Sequence, residues 1–126
     1  MYSIKIRDHI MIAHSLPDNS FGPAQRLHGA TYIVDVTFSS ENLNHLNIVI
    51  DIDRAHKILN DILEPMRYRN LDEMEEFRGR LTTTEFLARH FYDNLMKKTI
   101  GEFNGRISVT LGESHIAWAS YSGEPE

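Results

Sequence analysis

From Tyr2 to His14 the chain changes character at every step. Tyr2, Ile4, Ile6, Asp8, Ile10, Ile12 and His14 share one parity, while Ser3, Lys5, Arg7 and His9 occupy the other. A period of two places alternate side chains on opposite faces of an extended strand, so this segment must bury one face and wet the other. The same period returns at Ala30, Tyr32, Val34, Val36 and Phe38, and again at Ile107, Val109 and Leu111. Ile116 to Tyr121 reads as a fourth strand. The stretch from Leu16 to Gly29 holds Pro17, Asp18, Asn19, Gly22 and Pro23, turn formers that make it a loop between the first two strands.

The middle of the chain follows a different period. Ala55, Ile58, Leu59, Ile62 and Leu63 fall at the i, i+3, i+4, i+7, i+8 spacing of an amphipathic helix, opened by Asp51 or Asp53 and ended near Pro65. Leu87, Ala88, Phe91, Tyr92, Leu95 and Met96 form a second such face, for which Thr82 and Glu85 have capping-box spacing. Between the helices, residues 66–80 show no clear period and carry Asp72, Glu73, Glu75 and Glu76, so they read as a long polar connection. The resulting order β-β-α-α-β-β is an α+β architecture, an antiparallel sheet with helices on one face. Four strands leave two open edges, and the expected protection is pairing between subunits in a homo-oligomer.

A length of 126 residues suits one domain spanning 1–126. With 13 Lys and Arg against 18 Asp and Glu, the net charge of −5 argues against nucleic acid as a partner. The absence of cysteine excludes disulfides and any thiol nucleophile. No apolar run approaches the roughly 18 to 20 residues that span a bilayer, and the N-terminus has no leader-like pattern. The expectation is a cytoplasmic protein with no membrane partner.

Few residues stand out chemically. His14 ends the apolar parity of the first strand, and His28 shares the parity of Ala30 and Tyr32 at the second. Antiparallel neighbours bring these imidazoles over one cavity, either as buried, hydrogen-bonded groups or as part of a metal site, for which two ligands are too few. His9, His45, His56 and His90 lie at polar or amphipathic positions that need no ligand. Glu113 continues the parity of Leu111 toward the core, where a carboxylate needs an arginine or a ligand edge with two N–H donors, such as an aminopyrimidinone. Asp72 and Glu73 are acid-base candidates only where burial moves a pKa toward neutrality.

In this order the motifs resemble the 6-pyruvoyl-tetrahydropterin synthase and 6-carboxy-tetrahydropterin synthase family, over nearly the whole chain. Met11-Ile12-Ala13-His14-Ser15-Leu16 resembles F-x-A-A-H-x-L, and Arg26-Leu27-His28-Gly29-Ala30-Thr31-Tyr32 resembles R-L-H-G-H-x-Y. Asp51-Ile52 resembles the D-F opening the first helix, Leu71-Asp72-Glu73 the L-D-H element, and Thr82-Thr83-Thr84-Glu85 the P-T-S/T-E of the second helix. Glu113 through Tyr121 has the spacing of the terminal E-S/T to Y.

The resemblance implies a tunnelling fold, whose subunits join sheets into a barrel and stack rings, commonly as hexamers with intersubunit sites. It further implies zinc held by three histidines, a glutamate at Glu113 anchoring the pterin, and cleavage chemistry on dihydroneopterin triphosphate. Three positions depart from the pattern. Ala30 replaces the third zinc histidine, Ala24 the catalytic cysteine, and Glu73 the histidine of the Asp-His pair. The expectation is a lyase with altered catalytic residues acting on a dihydroneopterin-like substrate. Asp72 and Glu73 would be catalytic, Glu113, Arg26 and Thr83 would bind substrate, and His14 and His28 would hold zinc weakly. The alternative is a catalytically silent oligomer that binds a pterin or purine.

Overall fold

The two long alternating segments pair along their whole length. In the computed structural model, which describes residues 1–125, β1 (Tyr2–His14) and β2 (His28–Ser40) run antiparallel from Tyr2 opposite Ser40 to His14 opposite His28. Strands β3 (Arg106–Ser114) and β4 (Ala117–Gly123) extend the sheet in the order β1-β2-β3-β4. Parity decides burial: Ile6, Ile10 and Ile12, then Tyr32, Val34, Val36 and Phe38, then Ile107, Val109 and Leu111 form one buried face. Each large side chain removed from water there contributes about 1.5–3 kcal/mol.

Helices α1 (Ile52–Leu63) and α2 (Thr84–Lys98) cover that face with the residues their periodicity selects. Asp51, not Asp53, is the N-cap of α1, its carboxylate accepting from Arg54 N at 2.8 Å. The cap of α2 falls one residue later than the sequence spacing suggests. Thr83 accepts from Phe86 N at 3.1 Å, which releases Thr82 for another partner. No helix among the described residues is long and apolar enough to cross a membrane.

The connection over 66–80 is not simply polar. It folds as short 3-10 turns, Glu64–Met66, Leu71–Glu73 and Glu75–Phe77, that bury Met66, Leu71, Met74 and Phe77 in the core. The spacing Leu71, Met74, Phe77 is the three-residue repeat of a 3-10 turn, which a search for 3.6 misses. This segment also closes half of the sheet edge. Arg67 Nη1 donates to His9 O at 2.6 Å, Tyr68 N to Met11 O at 2.8 Å, and Ala13 N to Arg69 O at 2.9 Å. Asn70 bridges Ala13 in parallel sense. The open edge of β1 is therefore confined to its first half, and the chain itself carries residues 70–73 to the end where His14 lies.

Candidate active site

Strand register builds the centre of the site. His14 and His28 are direct cross-strand partners at the open end of the β1–β2 pair, and their rings lie 4.7 Å apart at 64°. His28 Nδ1 donates to the Arg26 carbonyl at 2.8 Å, so its hydrogen sits on Nδ1 and Nε2 keeps a lone pair. His14 Nδ1 shares a 2.9 Å hydrogen bond with the hydroxyl of Thr82, which is 1% exposed. Thr82 is the residue that sequence reasoning missed, because its spacing to Glu85 made it look like a cap.

His14 is buried, and that burial pushes its pKa below the ordinary histidine value. The neighbouring His28 adds to the push, while Asp72, the Thr82 backbone and Glu113 oppose it. His90, packed against Phe77 and Phe91 outside the site, is lowered in the same way by burial. Glu76 and Asp93 oppose that shift, and Lys97 supports it. Both rings are held neutral by the fold and gain protons more readily when it opens. Stability should therefore be fully present above about pH 6.5 and lost as pH falls through the depressed folded values. A urea midpoint that stays flat from neutrality down to about pH 5 would contradict this.

Asp72 reaches the imidazole pair through the edge segment. Asn70 Oδ1 accepts from Asp72 N at 3.0 Å, and the carboxylate accepts from Ser15 Oγ at 2.6 Å and from Ser15 N at 3.3 Å. Glu73, one residue on, is exposed and has no hydrogen bond or ion pair from its side chain among the described residues. The burial that acid-base work would need of it is absent in the single chain. Ala30 is half-buried opposite Ile12 on the face shared with His28. Ala24 is half-buried in the loop, its carbonyl accepting from Leu16 N at 3.0 Å.

Glu113 differs from its expected place. A bulge between Gly112 and Ser114 interrupts the ladder there, and Glu113 is exposed at the end of the sheet instead of buried in the core. It lines a hollow of about 260 Å³ with Thr84, Glu85, Ala117 and Trp118. Thr83 is not in that hollow, being the cap of α2, and Thr84 takes the place beside Glu113. Arg26 lines a separate hollow of about 550 Å³ with Gly22, Pro23 and Gln25. A hollow of about 940 Å³ beside α2 and one of about 440 Å³ at the far end of the sheet contain none of these residues.

The metal implied by the resemblance can be tested on the donor set. Each imidazole has Nδ1 tied to an oxygen, the outer-shell arrangement that frees Nε2 for a metal. Among the described residues, however, no group of three or more His, Cys, Asp or Glu could hold an ion. Two imidazoles fall short of the three protein ligands of a catalytic zinc, so this chain alone does not make up that site.

An antiparallel four-stranded sheet covered by two helices has counterparts among known proteins. The family described as 6-pyruvoyl tetrahydropterin synthase matches residues 3–124, and the chain belongs to that family. The 6-carboxy-5,6,7,8-tetrahydropterin synthase of Bacillus subtilis (strain 168) is 31% identical over 91 residues, 69% of this chain. That match spans 60% of the Bacillus protein. The protein of the same description from Aquifex aeolicus (strain VF5) is 28% identical over 123 residues, 78% of this chain and 75% of its own length. Among solved structures, the 6-pyruvoyl tetrahydropterin synthase of Caenorhabditis elegans superposes with a TM-score of 0.84. It covers 98% of this chain and 96% of its own at 22% identity, a likeness of fold.

Proposed function

We propose that this protein is a pterin-transforming lyase that works on a dihydroneopterin-like substrate with catalytic groups other than a thiol. The observation that carries the reading is the facing His14–His28 pair with the Asp72 carboxylate held one residue away through Ser15. Glu113 receives the two-donor edge of the ring, for which an unpaired carboxylate is the matching acceptor. Arg26 meets a phosphate where the substrate carries one. The imidazoles polarise the substrate side chain directly, and zinc binds weakly for want of a third ligand. Glu73 supports acid-base work only where a neighbouring subunit buries it.

The protein acts as a homo-oligomer. The first half of β1 has no backbone partner on its outer side among the described residues, and β4 is an edge strand. Antiparallel pairing of such edges across subunits satisfies their free amides and carbonyls. The test combines sedimentation with incubation of the purified protein with dihydroneopterin and its triphosphate, products being separated by chromatography. The expected result is an oligomer at micromolar concentration and turnover of at least one substrate. Ligand-induced thermal stabilisation without turnover would instead identify a silent pterin binder, and a monomer would remove the intersubunit site.

A further inference from the structure

The Asp72 carboxylate is engaged by a group that the family resemblance does not assign. Ser15 donates to it twice, from Oγ at 2.6 Å and from the backbone N at 3.3 Å. The first distance is that of a charge-assisted bond from a hydroxyl to a carboxylate. A carboxylate only accepts, so the Ser15 hydroxyl proton is committed to Asp72 and the Ser15 oxygen is left with lone pairs for a third group. Ser15 is half-buried and follows His14 directly, whereas the other nearby hydroxyl, Thr82, is buried against the imidazole. Gln25, the polar neighbour of Ala24, is occupied with the Gly22 carbonyl at 3.1 Å.

We infer that Ser15 is a catalytic residue of this site, a relay that takes the proton of a substrate hydroxyl and hands its own to Asp72. The inference rests on the reading of the site as pterin-transforming. In the step, the substrate O–H bond breaks and its proton bonds to Ser15 Oγ, while the Ser15 proton bonds to Asp72 Oδ2. The electron pair of the broken bond stays on the substrate oxygen, and nothing is oxidised or reduced. Asp72, now neutral, returns its proton through the same path when product forms. Asp72 touches substrate only through Ser15 and is the terminal acceptor, which gives this chain a proton path containing neither cysteine nor the histidine replaced by Glu73.

The experiment compares the parent protein with Ser15→Ala, Ser15→Thr and Asp72→Asn, using dihydroneopterin and its triphosphate as probes. Thermal midpoints establish that each variant is folded. Ser15→Ala should lower kcat by about 10²- to 10⁴-fold, the usual weight of a positioned acid-base group, with KM within a few-fold of the parent. Ser15→Thr keeps the hydroxyl and should retain most of the rate. Asp72→Asn leaves the relay without its terminal acceptor and should lower kcat to the level of Ser15→Ala. Parent-like kcat in Ser15→Ala, or Ser15→Thr as slow as Ser15→Ala, overturns the relay and leaves the proposed function standing. A parent protein that turns over neither probe overturns the proposed function and the relay together.

Discussion

Replacing Ala30 by histidine is expected to convert a protein that loses zinc on dialysis against a mild chelator into one that keeps about one equivalent. Residues two apart on a strand project from the same face about 6.8 Å apart along it, so a side chain at 30 stands beside His28. His14 faces His28 directly across the pair, at 4.7 Å between rings. The Nδ1 atoms of both imidazoles are already held by Thr82 and Arg26, so the new ligand meets a donor pair that is largely oriented. Losing an outer-shell partner alone costs a metal site about 10- to 100-fold in affinity, and a direct ligand should be worth at least about 100-fold. Elemental analysis after dialysis and the rise in thermal midpoint on adding zinc both read the change. A full equivalent retained by the parent protein would show that another group, from a partner subunit, completes the set.

The imidazole pair could be foreseen because it depends on alternation alone. A strand beginning at Tyr2 fixes the faces of Ile12 and His14, and a neighbour read from Ala30, Tyr32 and Val34 fixes that of His28. The surroundings of the pair depended on signals with no period of two or 3.6. Three consecutive threonines, Thr82, Thr83 and Thr84, can each cap a helix, and the difference of one position decides whether Thr82 ends at a backbone amide or at His14. Leu71, Met74 and Phe77 bury themselves at the spacing of 3-10 turns, so the segment carrying Asp72 to Ser15 looked polar and loose. Gly112 is the local signal for the change at Glu113: an isolated glycine within a strand pattern marks a bulge, and at this bulge Glu113 is exposed at the end of the sheet beside α2 and not buried in the core. A Cβ at Gly112 would approach the Trp118 indole to 3.1 Å, so the glycine also makes room for that ring.

The exposed setting of Glu113 sharpens the expected effect of Glu113→Gln, a loss of about 100-fold in affinity for dihydroneopterin with no change in stability. Glu113 has no hydrogen bond or ion pair from its side chain among the described residues, so the substitution breaks nothing within the chain. In the complex, the carboxylate would accept two N–H donors from the ring edge. The amide keeps one acceptor and turns an N–H₂ toward the other donor, which removes one charge-assisted bond outright and weakens the second. Hydrogen bonds to charged groups are worth about 1.5–3 kcal/mol each, and a combined loss of about 2.7 kcal/mol corresponds to the 100-fold change. Trp118, the chain's single tryptophan, lines the same hollow and supplies the readout through quenching of its emission. Glu113→Asp retains both acceptors on a shorter arm and should fall between parent and amide. Equal affinities for all three proteins would mean that the ring is held elsewhere, and would leave the bulge at Gly112 as an accommodation for Trp118 alone.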